Sequence, residues 1–586
     1  MQKSPHLLAG TEIYRPPCTE LQQIRLLTIL PGSGGEELRC HRGTASRHHD
    51  LRPSYATISY AGGDRNCPSQ QFCCEHDERL VWIDAVCINQ NDVSERGAQV
   101  SSMGSIYMNG AKNLVFWSND EEDVAETAIS TWNRTYRDAE RLIEDLSSEY
   151  QKKLRAGYVP VDWKLDVILT EQDMAVLEAL CGLPCFRRLW VGQEAAFAFQ
   201  STCYWGSMRF PLPIALLVGA VVSHTRFAQR HTPLLLEYGS YRAARMRTLE
   251  GFMWREPRSQ GLYWERFTEY LEGFSASEPR DRVYAAVQLY LQWNHMLQVP
   301  SLLVSDDGKS VSEAYRDATR FILGHGGQGG MTQLGRTLHR SSQDLAVERN
   351  GFTSWTIAFD RTFDVEFDPV PFGGALNASY EKNSAHADVH PEILNDPDPD
   401  LVIIKALLID TVTTTTEFFA WTDANDHAQV KRVLKTLQSW AKRATIAEML
   451  TAHMYEGYKF HFNDSSERLE SDHLFRRYVF TLDRMPPRSW ELHDGSTRKE
   501  RHAAEFGLSF GRLASNRRFL LTRDRKIGCG PKLMQEGDVV FVAKGANEAW
   551  ILRPFKEKDY WRFVGEAYVH YPMHVEIFDQ EEIMVI

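Results

Sequence analysis

Four polar side chains, Asp84, Asn89, Gln90 and Asp92, follow directly on the apolar run Leu80–Ile83. That run holds a β-branched and an aromatic residue and is long enough for a buried strand but too short for a helix. Asp84 therefore stands at a strand's carboxyl end, the edge of an open α/β sheet where ligands and functional loops collect. A crowd of carboxylates and amides there suggests a ligand-facing site. The same residues also suit a plain polar connection between strand and helix, and spacing alone leaves both readings open. Ser94 is placed to cap a following helix, in which Val100, Met103, Ile106 and Tyr107 recur at helical spacing until Asn109-Gly110 ends it. Asn113–Trp117 reads as the next strand.

Positioning such residues takes a folded scaffold, and composition supplies one. With 586 residues, 43% hydrophobic and 25% charged, the chain is long and apolar enough for two or three cores. The net charge of -12 is mixed along the chain, which argues against a nucleic-acid partner, since phosphate binding needs a concentrated basic surface. Arginine patches such as Arg242–Arg247 are short and read as solvated helix faces. The start MQKSPHLLAGTEIYRPP has no continuous apolar stretch of the secretory kind. The longest apolar run, Pro213–Val222, has about half the length of a bilayer helix. A cytoplasmic protein with no membrane span and mostly reduced cysteines is expected. Cys67, Cys73, Cys74 and His76 lack a C-x-x-C pair and a matching second half, so no metal site is predicted. No P-loop, G-x-G-x-x-G, G-x-S-x-G or H-E-x-x-H string occurs, which leaves the common ATPase, dehydrogenase, serine-hydrolase and zinc-protease readings without a motif.

The periodicities predict an α/β fold with a parallel-sheet domain, then a helical middle and a β-rich end. In outline, residues 1–50 read as an extension, 51–225 as the α/β domain and 226–376 as helical. Residues 377–400 read as a linker or insertion, 401–504 as mixed helical and 505–586 as the β-rich domain. Helices are expected over Glu122–Arg155, Glu171–Leu180, Trp190–Phe199, Trp264–Phe274, Arg282–Trp293 and Ala428–Met454. Short β-prone runs at Arg518–Thr522, Val539–Ala543, Ala549–Arg553 and Trp561–Val569 suit a small barrel or sandwich.

The string Trp82-Ile83-Asp84-Ala85-Val86-Cys87-Ile88-Asn89-Gln90, then Glu95-Arg96 and Met103–Tyr107, resembles the fungal heterokaryon-incompatibility (HET) domain. Tyr55–Tyr60 resembles that family's opening strand, Phe186–Glu194 its F-x-R-x-W-x-x-Q-E element and Pro279–Tyr284 its D-P-R-D-R-x-Y-A element. Gly528–Pro531, Gly537-Asp538, Leu552-Arg553-Pro554 and Gly565–His570 resemble the tail of its long members. Two departures stand out. Gly62 occupies the place of a tryptophan, and Asp64–Leu80 has too few apolar residues for the helix found there in the family. The resemblance implies a cytosolic signalling effector of allorecognition and programmed cell death, activated by an unknown protein partner or by self-association. It marks Ser59, Tyr60, Asp84, Asn89, Gln90, Glu95, Arg96, Trp190 and Gln193 as motif or ligand-edge residues. Arg280, Asp281 and Arg282 are expected to form ion pairs docking the helical region on the first domain, a substrate role being the alternative.

A fainter resemblance is to the TIR domain, a flavodoxin-like fold. Its enzymatic members cleave the glycosidic bond of NAD with a glutamate four residues after a tryptophan, and Trp190 and Glu194 match that pair. The resemblance implies a possible NAD nucleosidase with Glu194 catalytic and NAD as substrate, no other cofactor being indicated. Nicotinamide departure leaves an oxocarbenium-like ribosyl cation that an ionised carboxylate can stabilise. Alternatively Trp190 is a core residue and Glu194 serves the start of its helix, where the dipole favours a carboxylate. A degenerate paralogue with neither activity is the remaining reading.

Overall fold

The computed structural model describes residues 23–32, 39–46, 54–60, 77–118, 124–144, 188–212, 274–325, 351–360, 393–420, 426–451 and 510–585, short gaps inside those spans excepted, and a few isolated positions. Its contacts divide the chain into two compact units, Met1–Leu262 with Arg266–Lys309, and Tyr263–Glu265 with Ser310–Ile586. The fold class is α/β.

The first unit is built on β1 (Gln23–Ile29), β2 (Cys40–Ser46), β3 (Ala56–Tyr60) and β4 (Arg79–Trp82). After β4 come the helices α1 (Asp84–Cys87), α2 (Val93–Val100) and α3 (Met103–Asn109), then β5 (Lys112–Ser118) and α4 (Ala125–Glu144). Helix α5 (Leu189–Phe197) leads into β6 (Ser201–Trp205) and β7 (Met208–Pro211), and α6 (Asp281–Trp293) follows. The strands lie in the order β2-β1-β4-β3-β5-β6-β7. The central β4, β3, β5 and β6 are mutually parallel, and β1 and β7 join antiparallel at either side. Residues expected to be an extension thus supply two strands of this sheet: β1, QIRLLTI, buries Ile24, Leu26, Leu27 and Ile29. An apolar run that short must pair with a neighbour to satisfy its backbone once buried.

The order β4-β3-β5-β6 follows the doubly wound 2-1-3-4 pattern, in which the chain passes first to one side of the opening strand and then to the other. The carboxyl ends of β3 and its neighbours therefore face a crevice. Over the sheet, α3 and α5 pack on each other, and α6 packs on α5. The α3–α5 contact depends on Gly104, because a Cβ there would meet ring atoms of Phe197 at 3.0 Å. Elsewhere Trp132 of α4 packs near Trp117 and Phe210, extending an aromatic cluster to Trp205.

The second unit opens on α7 (Val311–His325), whose buried Ala314, Tyr315, Ala318, Phe321 and Ile322 recur at helical spacing. It continues through β8 (Ile393–Leu394), β9 (Val402–Thr415), α8 (His427–Trp440) and α9 (Arg443–Thr451). The strands β10 (Arg517–Thr522), β11 (Ile527–Pro531), β12 (Val539–Ala543), β13 (Ala549–Phe555), β14 (Tyr560–His570) and β15 (Glu581–Val585) complete it. Pairing runs β10-β11-β14-β13-β12-β9, and β9 pairs back to β10, so the sheet closes into a barrel. β9 is another element the sequence reading missed, having assigned 401–504 to mixed helical structure. Its buried-intermediate alternation is the strand period of two, and its two halves pair with different neighbours. The expected helix Ala428–Met454 is two helices, because Ala441 is extended and the Trp440 carbonyl accepts from Arg525. Gly528 permits a backbone approach no side chain would allow: a Cβ there would lie 2.1 Å from the Tyr568 carbonyl oxygen.

The helix expected over Glu122–Arg155 is described as Ala125–Glu144, its remainder lying outside the described residues. Also outside them are Gly62 and most of Asp64–Leu80, with the Cys67, Cys73, Cys74 and His76 cluster. Most of the expected helices Glu171–Leu180 and Trp264–Phe274 and most of 377–400 lie there too. Among the described residues no helix is long and apolar enough to cross a membrane, and no cluster of metal-ligating side chains occurs.

Gly104→Ala should cost about 1–3 kcal/mol in urea denaturation, the range for forcing volume into a packed contact. Adding Phe197→Leu, which withdraws the ring, should return part of that loss. Additive losses in the double variant would contradict the contact.

Candidate functional site

The carboxyl ends of β3 and β4 meet the start of α5 through one guanidinium. Arg188, immediately before α5, donates to the Tyr60 carbonyl and, at 3.1 Å, to Asp84 Oδ2, while its guanidinium carbon lies 5.3 Å from the Tyr60 ring centroid. The position is held by backbone: the Leu189 N–H donates to the Ser275 carbonyl. Asp84 has two tasks, since its Oδ1 also accepts from the Ala85 N–H at 2.7 Å. Burial disfavours the Arg188 cation, but Glu194 and Asp84 outweigh burial and raise its pKa above the ordinary value.

Glu194 sits one and a half turns further along α5 and only 2% of its surface is exposed. Burial pushes its pKa up to about 7; Arg188 opposes this, Asp84 adds to it, and hydrogen bonding to the Ser59 and Tyr107 hydroxyls opposes it. Oε2 of Glu194 has no hydrogen-bond partner among the described residues, and neither have the two amide atoms of Gln193 beside it. The sheet beneath is polar. The Thr57 and Ser59 hydroxyls donate to Asn113 Oδ1 at 3.0 and 3.1 Å, and all three residues are fully buried. Tyr107 is held well above the ordinary tyrosine range by burial first and then by the Glu194 charge. Cys87 is also buried, its thiol pushed up to about 11 by desolvation, which makes it a packing group rather than a nucleophile.

The structure brings Ser59, Tyr60, Asp84 and Glu194 together. Trp190 lies beside this group but turns away, its indole N–H donating to Asp281 Oδ2 at 2.9 Å. Asp281 thereby anchors α6 on α5. Arg280 pairs with Glu278 at 3.0 Å and donates to the Lys309 carbonyl, and Arg282 is partly buried in the first turn of α6. Asn89, Gln90, Glu95 and Arg96 form a second cluster that shapes the loop after α1. Glu95 accepts from the Asn89 N–H at 2.9 Å and Gln90 donates to the Asp84 carbonyl at 3.0 Å. The expected cap, Ser94, yields to Asp92, whose side chain accepts from the Glu95 N–H at 3.0 Å.

Sequence reasoning missed two arginines. Arg25 of β1 pairs with Glu95 through both guanidinium ends and also donates to the Cys87 carbonyl at 3.0 Å. At 2% exposed, it is the one charge in a largely apolar strand, and a lone charge in such a run signals a buried partner elsewhere. Arg188 stands inside the F-x-R-x-W-x-x-Q-E string, and its spacing from Asp84 in sequence gave no sign of their contact.

A carboxyl with a folded pKa of about 7 against an ordinary 4.5 binds its proton more tightly in the native state. Its contribution to stability is fully present below pH 4.5 and is lost as pH rises through 7. Glu194→Gln should therefore melt close to the natural protein at pH 4.5 and above it at pH 8, by several kcal/mol at most. Equal melting at both values would remove the protonated buried carboxyl. For Arg25→Met, which leaves Glu95 buried without its partner, a loss of about 3–5 kcal/mol in denaturant unfolding is expected.

Residues 69–194 match the family described as heterokaryon incompatibility protein (HET), and residues 426–584 match the Het-6 beta-barrel domain. No curated protein and no solved structure matches the chain. The first match takes in Asp84, Asn89, Gln90, Glu95, Arg96, Trp190 and Gln193 and ends on Glu194; Ser59 and Tyr60 precede it. The second covers α8, α9 and the barrel strands β10–β14, with most of β15, while β9 lies ahead of it. The chain is thus similar to heterokaryon-incompatibility proteins in two separate stretches, one at its amino-terminal sheet matching the HET family and one at its barrel matching the Het-6 beta-barrel domain.

Proposed function

We propose that this protein is a cytoplasmic signalling effector of allorecognition and programmed cell death, whose HET domain triggers death when a protein partner or self-association activates it. The presence of both domains in one chain carries that reading. Induced expression of the full chain in a fungal host is its test. Loss of viability, abolished when Asp84 and Arg188 are both replaced, is expected; full viability with the folded protein at high level would overturn it.

A second reading is favoured by one observation, the Glu194 carboxyl with an unpartnered oxygen at the carboxyl ends of parallel strands. In this reading the HET domain is TIR-like and cleaves the glycosidic bond of NAD, with Glu194 stabilising the ribosyl cation left by nicotinamide. Only the ionised carboxylate can do so, which makes the rate rise with pH through about 7 and level off above it. The Ser59 and Tyr107 hydroxyls lie beside the carboxylate, and Arg188 supplies the charge that favours ionisation. Activated protein should release nicotinamide from NAD, and Glu194→Gln should lower that rate by about a hundredfold or more. Toxicity without nicotinamide release would leave the effector reading and end the enzymatic one.

A further inference from the structure

The two edges of the amino-terminal sheet are finished differently. β7 is four residues long, ends on Pro211 and exposes Arg209, devices that keep a sheet edge from pairing further. β2, CHRGTAS, has neither proline nor lysine, and its seven residues pair with β1 in one register throughout, without a bulge. Cys40, His41, Gly43 and Thr44 are exposed. Among the described residues no strand pairs with the outer side of β2.

The ladder with β1 fixes which backbone groups point outward. The Leu30 N–H donates to the Arg39 carbonyl at 2.9 Å, which makes Leu30 and Arg39 a hydrogen-bonded pair in the register of β1 and β2. Such pairs alternate along an antiparallel ladder, so His41, Gly43 and Ala45 direct their N–H and C=O groups at β1. Cys40, Arg42, Thr44 and Ser46 direct theirs away from it. A strand that presents its backbone in this way is a template for one more strand.

We propose that the outer edge of β2 is a self-association surface, on which β2 of a second copy of this chain pairs antiparallel about a two-fold axis at Gly43. The proposal supplies a surface for the self-association in the effector reading, and rests on that reading only for its consequence in the cell. Register singles out a second copy. With Gly43 opposite its own counterpart, Cys40 meets Ser46 and Arg42 meets Thr44, so every outward-directed residue of one strand faces an outward-directed residue of the other. Placing Arg42 opposite Arg42 would set like charges against each other, and placing Thr44 opposite Thr44 would leave Cys40 facing no residue of β2. At the axis the two Gly43 residues form a non-hydrogen-bonded pair with Cα atoms about 4.5 Å apart, the closer of the two antiparallel spacings. A ladder of this length buries little area, so the association is weak and responds to local concentration, which is what a trigger requires.

Sedimentation of the full chain at concentrations up to about 0.1 mM is the test, and reversible doubling of the mass is expected. Thr44→Pro removes an outward N–H and no bond to β1, so it should raise the dissociation constant at least about tenfold while the dilute protein melts as before. Thr44→Val, which keeps the N–H, should associate as the natural chain does. In a Cys40→Ser background, Gly43→Cys should give a disulfide-linked dimer on oxidation, because a Cβ at Gly43 meets nothing within 4 Å and the Cα spacing lies in the disulfide range. Thr44→Cys, which faces Arg42, should give far less. A single-chain mass at every concentration, as when the edge serves a different peptide, overturns the proposal. So does a dimer that a folded Thr44→Pro leaves intact, or equal linkage through positions 43 and 44. Should Thr44→Pro melt early, the linkage at position 43 decides. Viability is read separately: a monomeric Thr44→Pro that still kills ends self-association as the trigger and leaves the interface standing, whereas a dimer that harms no cell keeps the interface and ends the effector reading.

Discussion

The buried Arg25–Glu95 pair is the constraint on which the amino-terminal site depends. It joins β1 to the amino end of α2, and through the Cys87 carbonyl and the Asn89 N–H it also ties down the whole turn between. That turn begins at Asp84. Without a fixed turn, Asp84 would have no reason to meet a guanidinium 104 residues away along the chain. Buried ion pairs contribute little net stability because desolvation consumes most of the Coulomb gain. Their value here is geometric: an uncompensated Glu95 has no cheap alternative position, so the loop has one conformation. Asp92 adds to this by taking the cap of α2 and leaving the Glu95 carboxylate for Arg25 and the Asn89 N–H.

Around Glu194 the same physics runs the other way. The helix carrying it is buried nearly all round, and the sheet beneath offers a row of hydroxyls and an amide where an apolar face is the rule. Asn113 satisfies Thr57 and Ser59 at once, making the row stable without water. Glu194 and Gln193 are left short of partners among the described residues, and that shortage is a local cost the rest of the domain must outweigh. Places where a sequence breaks a local rule that its neighbours obey are where function is to be sought.

The sequence was legible where one element carries its own pattern. Asp281–Trp293 differs by one residue from its expected span, and Arg517–Thr522 and Val539–Ala543 lie where β-prone runs predict strands. Pattern fails where the partner is remote. Gln23–Ile29 reads as a fragment until β4 is placed beside it, and Val402–Thr415 reads as ambiguous until the barrel closes through it. The candidate site divides in the same way. Asp84 and Glu194 are visible from motif position, whereas Arg25 and Arg188 acquire meaning only from contacts that span 70 and 104 residues.

A doubly wound sheet does not by itself name a function, since that strand order hosts unrelated activities. What narrows the choice is energetic. A glutamine or leucine at position 194 would fill the same space under α5 with no desolvation penalty above neutral pH, so a role limited to packing gives no account of a carboxyl there. A capping role fails on geometry, because Glu194 lies in the second turn of α5, whose first residue is Leu189, and the dipole favours a carboxylate at the first turn. Charge is then the property that distinguishes this side chain from its cheaper substitutes. Burial works against that charge, while Arg188, itself paired with Asp84 at the strand ends, favours it.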